Sequence, residues 1–286
     1  MSSGALINPE ATDDGQTTII DLTESRPGGF APTWPSSHRH EDGVGDEGHL
    51  TVRITDNPIL SHVDVSVVIP TLNEEKNLEY VLGRIPPEIS ELIIVDGNST
   101  DGTAETARRL WPGVRVISQR GQGKGDALAT GFRAARGDIV VMLDGDGSTD
   151  PAEIPRFVGA LLTGADFAKG TRFVTGGGSA DITRMRRWGN HLLAGLVNRL
   201  WGVDYSDLCY GYNAFWRRHL PEIGPDCAPG FEVETLINLR AARAGLRIVE
   251  VPSFEATRTH GVSNLDARRD GMRVLRTIAA ERIRPT

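Results

Sequence analysis

Cysteine and long apolar runs are scarce in this chain of 286 residues. Its two cysteines, Cys209 and Cys227, are too few for a disulfide framework or a zinc site, so we expect both to be free thiols. No run approaches the roughly 18 to 20 consecutive apolar residues that a membrane-spanning helix needs. The N-terminus also lacks the basic segment followed by an apolar one that marks a signal peptide. These absences predict a soluble protein of the cytoplasm.

Basic charge is scarce in the first 60 residues. Residues 1–60 contain ten acidic and three basic side chains, and thus account for the whole formal net charge of −7. Prolines and glycines interrupt the segment, and it has too few apolar residues to offset the entropy of ordering. We predict a mostly disordered acidic leader over residues 1–60, with a short strand at residues 50–54 as the alternative there. The remainder is neutral overall and lacks the basic footprint of a nucleic-acid-binding protein.

Strands and helices alternate from residue 63 onwards. Apolar runs predict buried strands at residues 65–69, 92–95, 114–118 and 139–143, and helical spacing predicts helices at residues 73–85, 103–110 and 127–135. This alternation implies right-handed crossovers, and therefore an α/β domain with a mainly parallel sheet flanked by helices. We assign the domain to residues 61–265 and a basic amphipathic C-terminal helix to residues 266–286.

Polar, glycine-containing segments follow all four predicted strands, at residues 70–74, 96–102, 119–125 and 144–148. Because ligands of such sheets bind beyond the carboxyl ends of the strands, these segments predict one binding site. Within it, Asp144 and Asp146 flank Gly145, a spacing of hard oxygen ligands that suits Mg²⁺ or Mn²⁺. The alternative is an acidic turn, since Asp and Gly are common in turns.

The glycine-rich segment at residues 121–125 contains Lys124, one of only three lysines. The glycines match neither a Walker loop nor the dinucleotide-binding fingerprint, because their spacing differs from both. Lys124 is therefore interpreted either as a ligand of a diphosphate or as a solvated turn lysine.

Six segments occur in the order typical of one enzyme family. They are Val67-Val-Ile-Pro70-Thr-Leu-Asn73-Glu74, Val95-Asp96-Gly-Asn-Ser-Thr-Asp101-Gly-Thr103, Gly123-Lys-Gly125, Asp144-Gly-Asp146, Gly170-Thr-Arg172-Phe173 and Arg258-Thr-His-Gly261-Val-Ser263. Over residues 65–265 the chain resembles the family 2 glycosyltransferases, which have the Rossmann-like GT-A fold. Within that family it is most similar to the dolichol-phosphate mannose synthases and bacterial polyprenyl-phosphate glycosyltransferases. Leu72 stands where the family usually has Tyr, and Asn264 replaces a family lysine.

The resemblance implies a donor site for a GDP- or UDP-linked sugar. The residues that it places at the donor are Pro70, Leu72, Glu74, Asp96, Lys124, Asp144, Gly145 and Asp146. Asp144 and Asp146 match the metal motif, Ser148 can add a ligand, and Arg172 and Arg258 match arginines that hold the phosphates. A divalent ion and arginines stabilise the charge that develops on a departing diphosphate. The implied reaction is a single displacement with inversion, which requires no protein nucleophile.

The resemblance also implies an acceptor side. Asp207 stands where the synthases carry an Asp before a turn that here contains Tyr210, and it is our leading acceptor-side residue, as a base or a positioning group. The alternative is an Asp that braces its loop. Glu232 and Glu234 match a Phe-Glu-x-Glu-like segment. They would share one side of an extended chain, or would be acids in the first turn of a helix.

Two amphipathic helices bear on the acceptor. Residues 184–201 have a basic start and helically spaced apolar residues, which favours a helix packed on the sheet, although this region lies near the acceptor and the membrane in the synthases. Residues 256–286 carry seven arginines against three acids, typical of a solvated helix face or of a helix resting on anionic lipid.

Three functions follow as hypotheses. The first is transfer of a hexose, of mannose or glucose type, to a polyprenyl phosphate at the inner face of the membrane. The second keeps the donor chemistry but uses a soluble hydroxyl acceptor, a metabolite or a glycan, which would need a carboxylate base within about 3 Å. The third is a nucleotide-sugar-binding scaffold without turnover, whose leader recruits a partner.

Overall fold

A computed structural model of the chain describes residues 60, 63–224, 230, 232–261 and 267–284. The predicted leader, except for Leu60, lies outside the described residues, as does its alternative strand. Cys227, Asn264 and the predicted boundary before residue 266 also lie outside them.

The central sheet has seven strands, in the order β3-β2-β1-β4-β7-β5-β8. They are β1 Val65–Thr71, β2 Glu91–Asp96, β3 Arg115–Ser118, β4 Ile139–Met142, β5 Phe167–Thr171, β7 Asn213–Trp216 and β8 Ile248–Pro252. Only β7 runs antiparallel to its neighbours, β4 and β5, while the other neighbouring pairs are parallel. Two short strands, β6 Gly178–Ser179 and β9 Phe254–Glu255, form a separate parallel pair. The prediction of a mainly parallel sheet is confirmed.

Helices cover both faces of the sheet. They are α1 Glu75–Leu82, α2 Thr103–Leu110, α3 Gly123–Ala134, α4 Ile154–Leu162, α5 Arg184–Trp201, α6 Leu220–Ile223, α7 Val233–Arg243 and α8 Ala267–Ile283. None of the helices within the described ranges is long and apolar enough to cross a membrane.

The alternation of side chains along β1 divides the core into two layers. Val67 and Ile69 belong to the cluster that includes residues of α1 and α4, whereas Val68 belongs to the cluster that includes residues of α3 and α7. Successive side chains of a strand point to opposite faces, so a strand covered on both sides reads as one continuous apolar run. The sheet is thus held between two apolar layers, and its carboxyl edge is left to the polar segments.

Two helices differ from their predicted bounds in ways that affect the site. α1 begins at Glu75 rather than residue 73, because Asn73 adopts a left-handed conformation with φ of 57° and its Oδ1 accepts a hydrogen bond from the Thr100 amide. α3 begins at Gly123, four residues before the predicted start at 127. Lys124 therefore belongs to the first turn of a helix, and the interpretation of a solvated turn lysine is wrong.

The predicted amphipathic helix at 184–201 is confirmed as α5. Its buried side chains, including Ala194 and Val197, join a third apolar cluster with Val274 and Ile278 of α8. Its remaining apolar residues form an exposed stripe at helical spacing, which we call the α5 stripe: Met185, Trp188, Leu192, Leu196 and Leu200. The helix thus packs through one face, against which Leu193 and Trp201 are also partly buried, and leaves the five side chains of the α5 stripe exposed.

Candidate active site

Two cavities meet at the carboxyl edge of the sheet. We call them the donor-side and the acceptor-side cavity, after the two sides of the site that the resemblance implies. The donor-side cavity has a volume of about 640 Å³ and lies against the segment after β1 and the start of α3. The acceptor-side cavity, of about 280 Å³, extends towards α5 and α8. The two share Lys124, Asp144, Asp146 and Arg258 in their walls. The segments after several strands therefore converge on one place, as the sequence predicts.

The donor-side cavity contains most of the predicted nucleotide residues. Pro70, Leu72, Glu74 and Gly145 line it, and the Leu72 side chain is exposed. Burial is the largest influence on the Glu74 carboxyl and raises its pKa. The predicted residues that follow β1 and β4 are thus brought together around one hollow.

Asp96 lies at the end of β2, directly before Gly97, which lines this cavity. One carboxylate oxygen, Oδ2, accepts a hydrogen bond from the Ser99 amide at 3.2 Å. The other, Oδ1, is buried and has no hydrogen-bond partner among the described residues. A buried carboxylate oxygen is stable only when bonded, so this atom is suited to receive a ligand hydroxyl or N–H group.

Lys124 bridges two carboxylates in the wall that the cavities share. Its Nζ lies 2.5 Å from Asp144 Oδ1 and 2.5 Å from Glu234 Oε1. Burial alone would lower the pKa of Lys124, but the negative charges of Asp144 and Glu234 outweigh burial and raise it. Lys124 is therefore a permanently charged cation, and it contacts a residue 110 positions away in sequence.

Asp146 has a cation of its own. Arg258 Nη2 lies 2.9 Å from Asp146 Oδ2, and the Ser148 amide donates to Asp146 Oδ1 at 2.9 Å. The Ala256 amide in turn donates to the Ser148 carbonyl, which ties the segment carrying Arg258 to the turn after β4. Each carboxylate of the predicted metal motif is thus paired with one cation.

The oxygen atoms of these residues fit a hard divalent ion, most of whose other ligands would be water and substrate oxygens. Asp144 and Asp146 supply carboxylates, and Ser148, which is buried beside Asp146, supplies a hydroxyl. Within the part of the chain that the structure describes, no group of three or more His, Cys, Asp or Glu side chains could hold a metal alone. Mg²⁺ and Mn²⁺ are commonly held by one or two carboxylates together with substrate phosphates and water.

Arg172 is held by two carboxylates at the base of the acceptor-side cavity. Its Nε lies 2.7 Å from Asp207 Oδ2 and its Nη2 lies 3.0 Å from Asp207 Oδ1, while Nη1 contacts both oxygens of Glu255. Burial would lower the pKa of Arg172, but the charges of Asp207 and Glu255 raise it. The arginine is a permanently charged, well-oriented part of the cavity wall.

Asp207 does not reach the acceptor-side cavity, and its predicted role as a base is corrected. The residue has no solvent exposure, and both carboxylate oxygens bind Arg172. Burial alone would raise the pKa of Asp207, but the charges of Arg172 and Lys169 hold it below its ordinary value. A carboxylate that is paired, enclosed and weakly basic positions its neighbour and does not abstract a proton from a ligand.

The other three predicted acceptor-side residues do not all line the same cavity. Glu234 and Tyr210 line the acceptor-side cavity, and the Tyr210 ring lies 5.0 Å from the Arg172 guanidinium carbon. Glu232 lies in the wall of the donor-side cavity instead. Glu232 directly precedes α7 and Glu234 is in its first turn, so the hypothesis of an extended segment with both acids on one side is wrong. Helical backbone turns residues two apart away from one another.

Sequence reasoning missed residues that only the packing of helices brings to the cavity. Asn190 and Arg186 on α5 and Glu255 on β9 line the acceptor-side cavity. Asn190 and Arg186 are polar positions of an amphipathic helical pattern, and such positions give no signal of function. Glu255 belongs to a strand of only two residues.

Comparisons with known proteins show what this chain is similar to. The family model described as Glycosyl transferase family 2 matches residues 66–224. An undecaprenyl-phosphate mannosyltransferase of Micrococcus luteus is 34% identical over 215 residues, which are 70% of this chain and 87% of the relative. A polyprenol monophosphomannose synthase of Mycolicibacterium smegmatis is 33% identical over 242 residues, covering 79% and 86%.

Solved structures are also similar to this chain. The glucosyl-3-phosphoglycerate synthase of Mycobacterium tuberculosis, crystallised with Mn²⁺, uridine diphosphate and glucosyl-3-phosphoglycerate, superimposes with a TM-score of 0.63. It is 31% identical, and the match covers 80% of this chain and 83% of that one.

Proposed function

Because the chain belongs to glycosyltransferase family 2 and has the GT-A fold, we propose that this glycosyltransferase moves a hexose from a nucleoside-diphosphate sugar to a polyprenyl phosphate. The sugar is of mannose or glucose type, and the transfer inverts the anomeric centre. The names of the relatives from Micrococcus and Mycolicibacterium support the acceptor, and the solved synthase with uridine diphosphate and Mn²⁺ supports the donor.

One observation favours an acceptor that is already ionised. All six carboxylates that line the acceptor-side cavity are in ion pairs: Asp144 and Glu234 with Lys124, Asp146 with Arg258, Asp181 with Arg186, Glu255 with Arg172, and Asp270 with Arg273. A carboxylate held by a cation is a poor general base, because gaining a proton would remove the charge that binds the cation. Burial raises the pKa of Glu234, but its contact with Lys124 at 2.5 Å holds this carboxylate in a pair as well. A hydroxyl acceptor requires a general base, whereas a phosphate monoester carries its negative charge to the reaction.

The donor would bind across the edge of the sheet with its diphosphate beside Asp144 and Asp146. Pro70 and Leu72 line the nucleotide, and Asp96 Oδ1 accepts from the ribose or the base. Asp144, Asp146 and Ser148 would hold Mg²⁺ or Mn²⁺, which neutralises charge on the departing diphosphate when bound. Lys124 and Arg258 are the cations in the same wall, and they can turn from the carboxylates to the diphosphate oxygens.

Arg172 serves the acceptor side in this proposal. Two carboxylates offset its single charge, so it adds little attraction for the diphosphate. Its rigid position beside Tyr210 shapes the cavity in which the acceptor phosphate approaches the sugar. Asp207 and Glu255 act through Arg172 as positioning residues.

The α5 stripe supports a peripheral location at the inner face of the membrane. Met185 and Trp188 line the acceptor-side cavity and also belong to the exposed stripe. The same helix carries four arginines, at positions 184, 186, 187 and 199. An amphipathic helix with apolar and basic residues of this kind can lie at a lipid surface and attract anionic headgroups. A polyprenyl chain could then remain in lipid while its phosphate enters the cavity.

The experiment is a transfer assay with purified protein. GDP-mannose, UDP-glucose and related donors are incubated with Mg²⁺ or Mn²⁺ and a polyprenyl phosphate in vesicles, and labelled sugar is extracted into organic solvent. We expect an extractable sugar lipid with one donor, and none with Asp146→Asn. Absence of sugar lipid with every donor would overturn the lipid acceptor.

A soluble phosphorylated acceptor is the second candidate. The solved synthase that resembles this chain is named for glucosyl-3-phosphoglycerate, a product that keeps the phosphate of its small soluble acceptor and carries the sugar on another oxygen. The same assay separates the candidates, because the product would remain in the aqueous phase. Membership of a family of glycosyltransferases sets the scaffold hypothesis aside.

A further inference from the structure

Asn190 has an unused hydrogen-bond donor at the acceptor-side cavity. The residue lies on α5, lines the cavity and is 4% exposed. Its Oδ1 accepts hydrogen bonds from the Leu208 and Cys209 amides, both at 3.1 Å. Its Nδ2 is buried and has no hydrogen-bond partner among the described residues.

The orientation of this amide is determined by its partners. Leu208 and Cys209 both offer backbone N–H groups, which only the amide oxygen can accept. A flipped side chain would place the NH₂ group against two donors and is excluded. Asn190 therefore holds the loop between α5 and β7 with its oxygen, and its NH₂ group is left without a partner among the described residues.

An unpaired buried donor is unfavourable unless a ligand completes it. The arginines of this wall are already engaged, since Arg172, Arg186 and Arg258 each contact a carboxylate. Asn190 Nδ2 thus differs from its neighbours in being ready to bond without breaking an existing pair. The atom that it can bind is an acceptor oxygen, such as a phosphate oxygen.

We propose that Asn190 Nδ2 donates a hydrogen bond to the phosphate of the acceptor and that Asn190 is a specificity-determining residue for phosphorylated acceptors. The inference rests on the proposed function. Asn190 also offers this hydrogen bond without adding a charge to the cavity. The same helix carries Met185 and Trp188 at the cavity wall, so one element offers a donor to the headgroup and an apolar surface to a lipid chain.

Asn190→Asp tests the inference with the smallest change in shape. The variant keeps an oxygen that accepts from Leu208 and Cys209, and it replaces the NH₂ group by an oxygen that cannot donate when ionised. We expect the KM for the acceptor to rise by about tenfold or more, as for loss of a hydrogen bond to a charged group. The Kd of the nucleoside diphosphate should stay near that of the unchanged protein.

Asn198→Asp is the matched control on the same helix. The amide of Asn198 is satisfied on both sides by the backbone of Tyr205, and Asn198 does not line the cavity. Its loss of a donor should lower the Tm without a selective rise in the KM for the acceptor. The comparison separates a ligand contact from a structural one.

Two acceptors, a polyprenyl phosphate in vesicles and water-soluble phosphoglyceric acid, identify the source of the phosphate. A rise in KM with Asn190→Asp for whichever acceptor the protein uses supports the inference. An unchanged KM for the acceptor would overturn the inference while leaving the proposed function in place. So would a loss of affinity for the nucleoside diphosphate as large as the loss of affinity for the acceptor. Transfer to neither acceptor by the unchanged protein would overturn the proposed function and the inference with it.

Discussion

Lys124 Nζ lies 2.5 Å from Asp144 Oδ1. A cation of the protein itself therefore contacts a carboxylate that we propose as a metal ligand. Arg258 makes the corresponding contact with Asp146 at 2.9 Å. A divalent ion would have to compete with both cations, whereas a diphosphate arriving with the ion offers these cations new partners. The arrangement therefore favours joint binding of metal and nucleotide.

Lys124→Met should strengthen the binding of Mn²⁺ in the absence of nucleotide. Removal of the cation leaves Asp144 without a competing charge, and the gain should be about tenfold or more. The Kd of Mn²⁺ can be measured by isothermal titration, and the nucleoside diphosphate should bind less tightly to the same variant.

Arg273→Met is the control for a general change in charge. Arg273 lines the donor-side cavity but pairs with Asp270 rather than with Asp144 or Asp146. A similar gain in Mn²⁺ affinity in both variants would contradict a direct competition between Lys124 and the ion.

Asp207→Asn should destabilise the fold by about 3 to 5 kcal/mol, because Arg172 would remain buried with one of its two partners uncharged. The pKa of Asp207 is below its ordinary value, so its stabilising effect is present above the unfolded pKa of about 3.9 and is lost as the pH falls through the folded pKa. The free energy of unfolding, measured in urea from pH 2 to 7, should depend less on pH in the variant. An unchanged pH dependence would contradict the burial of an ionised Asp207.

Trp188→Glu combined with Leu192→Glu should release the protein from anionic vesicles. These side chains are 66% and 54% exposed, so the changes place charges on the α5 stripe without opening the core. Co-sedimentation with vesicles should fall by at least about tenfold, since burial of each large apolar side chain is worth about 1.5 to 3 kcal/mol. Leu162→Glu on α4 changes another exposed leucine and should leave vesicle binding intact. Equal binding by all three proteins would exclude the α5 stripe as the lipid contact.

Asp96→Asn should weaken the binding of the nucleoside diphosphate about tenfold or more. The variant can still accept from the Ser99 amide, but it loses the charge of the unpaired Oδ1 that we assign to the nucleotide. Titration with uridine and guanosine diphosphates measures the loss and identifies the preferred base. Asp101→Asn is the control, because the Asp101 carboxylate is already bonded by Thr103 and the Glu75 amide. The assignment fails if Asp96→Asn binds both nucleotides as the unchanged protein does.

Much of the fold follows from local pattern. The continuous apolar run of β1 predicts a strand covered on both faces, and the observed core has one layer on each side of Val67 and Val68. The helices at 103–110 and 184–201 have the predicted bounds. Asp144 and Asp146 could be placed at the ligand edge because the carboxyl ends of parallel strands share one side of a sheet.

The sequence by itself determined the first four strands, several of the helices, the mainly parallel character of the sheet and the resemblance to the family, because hydrophobic period and motif spacing are local properties of the chain. Only the tertiary structure decided that Lys124 bridges Asp144 and Glu234, that Asp207 is enclosed by Arg172, and that α5 presents Asn190 inwards and Trp188 outwards. These relationships join residues far apart in sequence or depend on which face of a helix is covered. Pairing and burial of that kind arise from the packing of whole elements, which no local pattern contains.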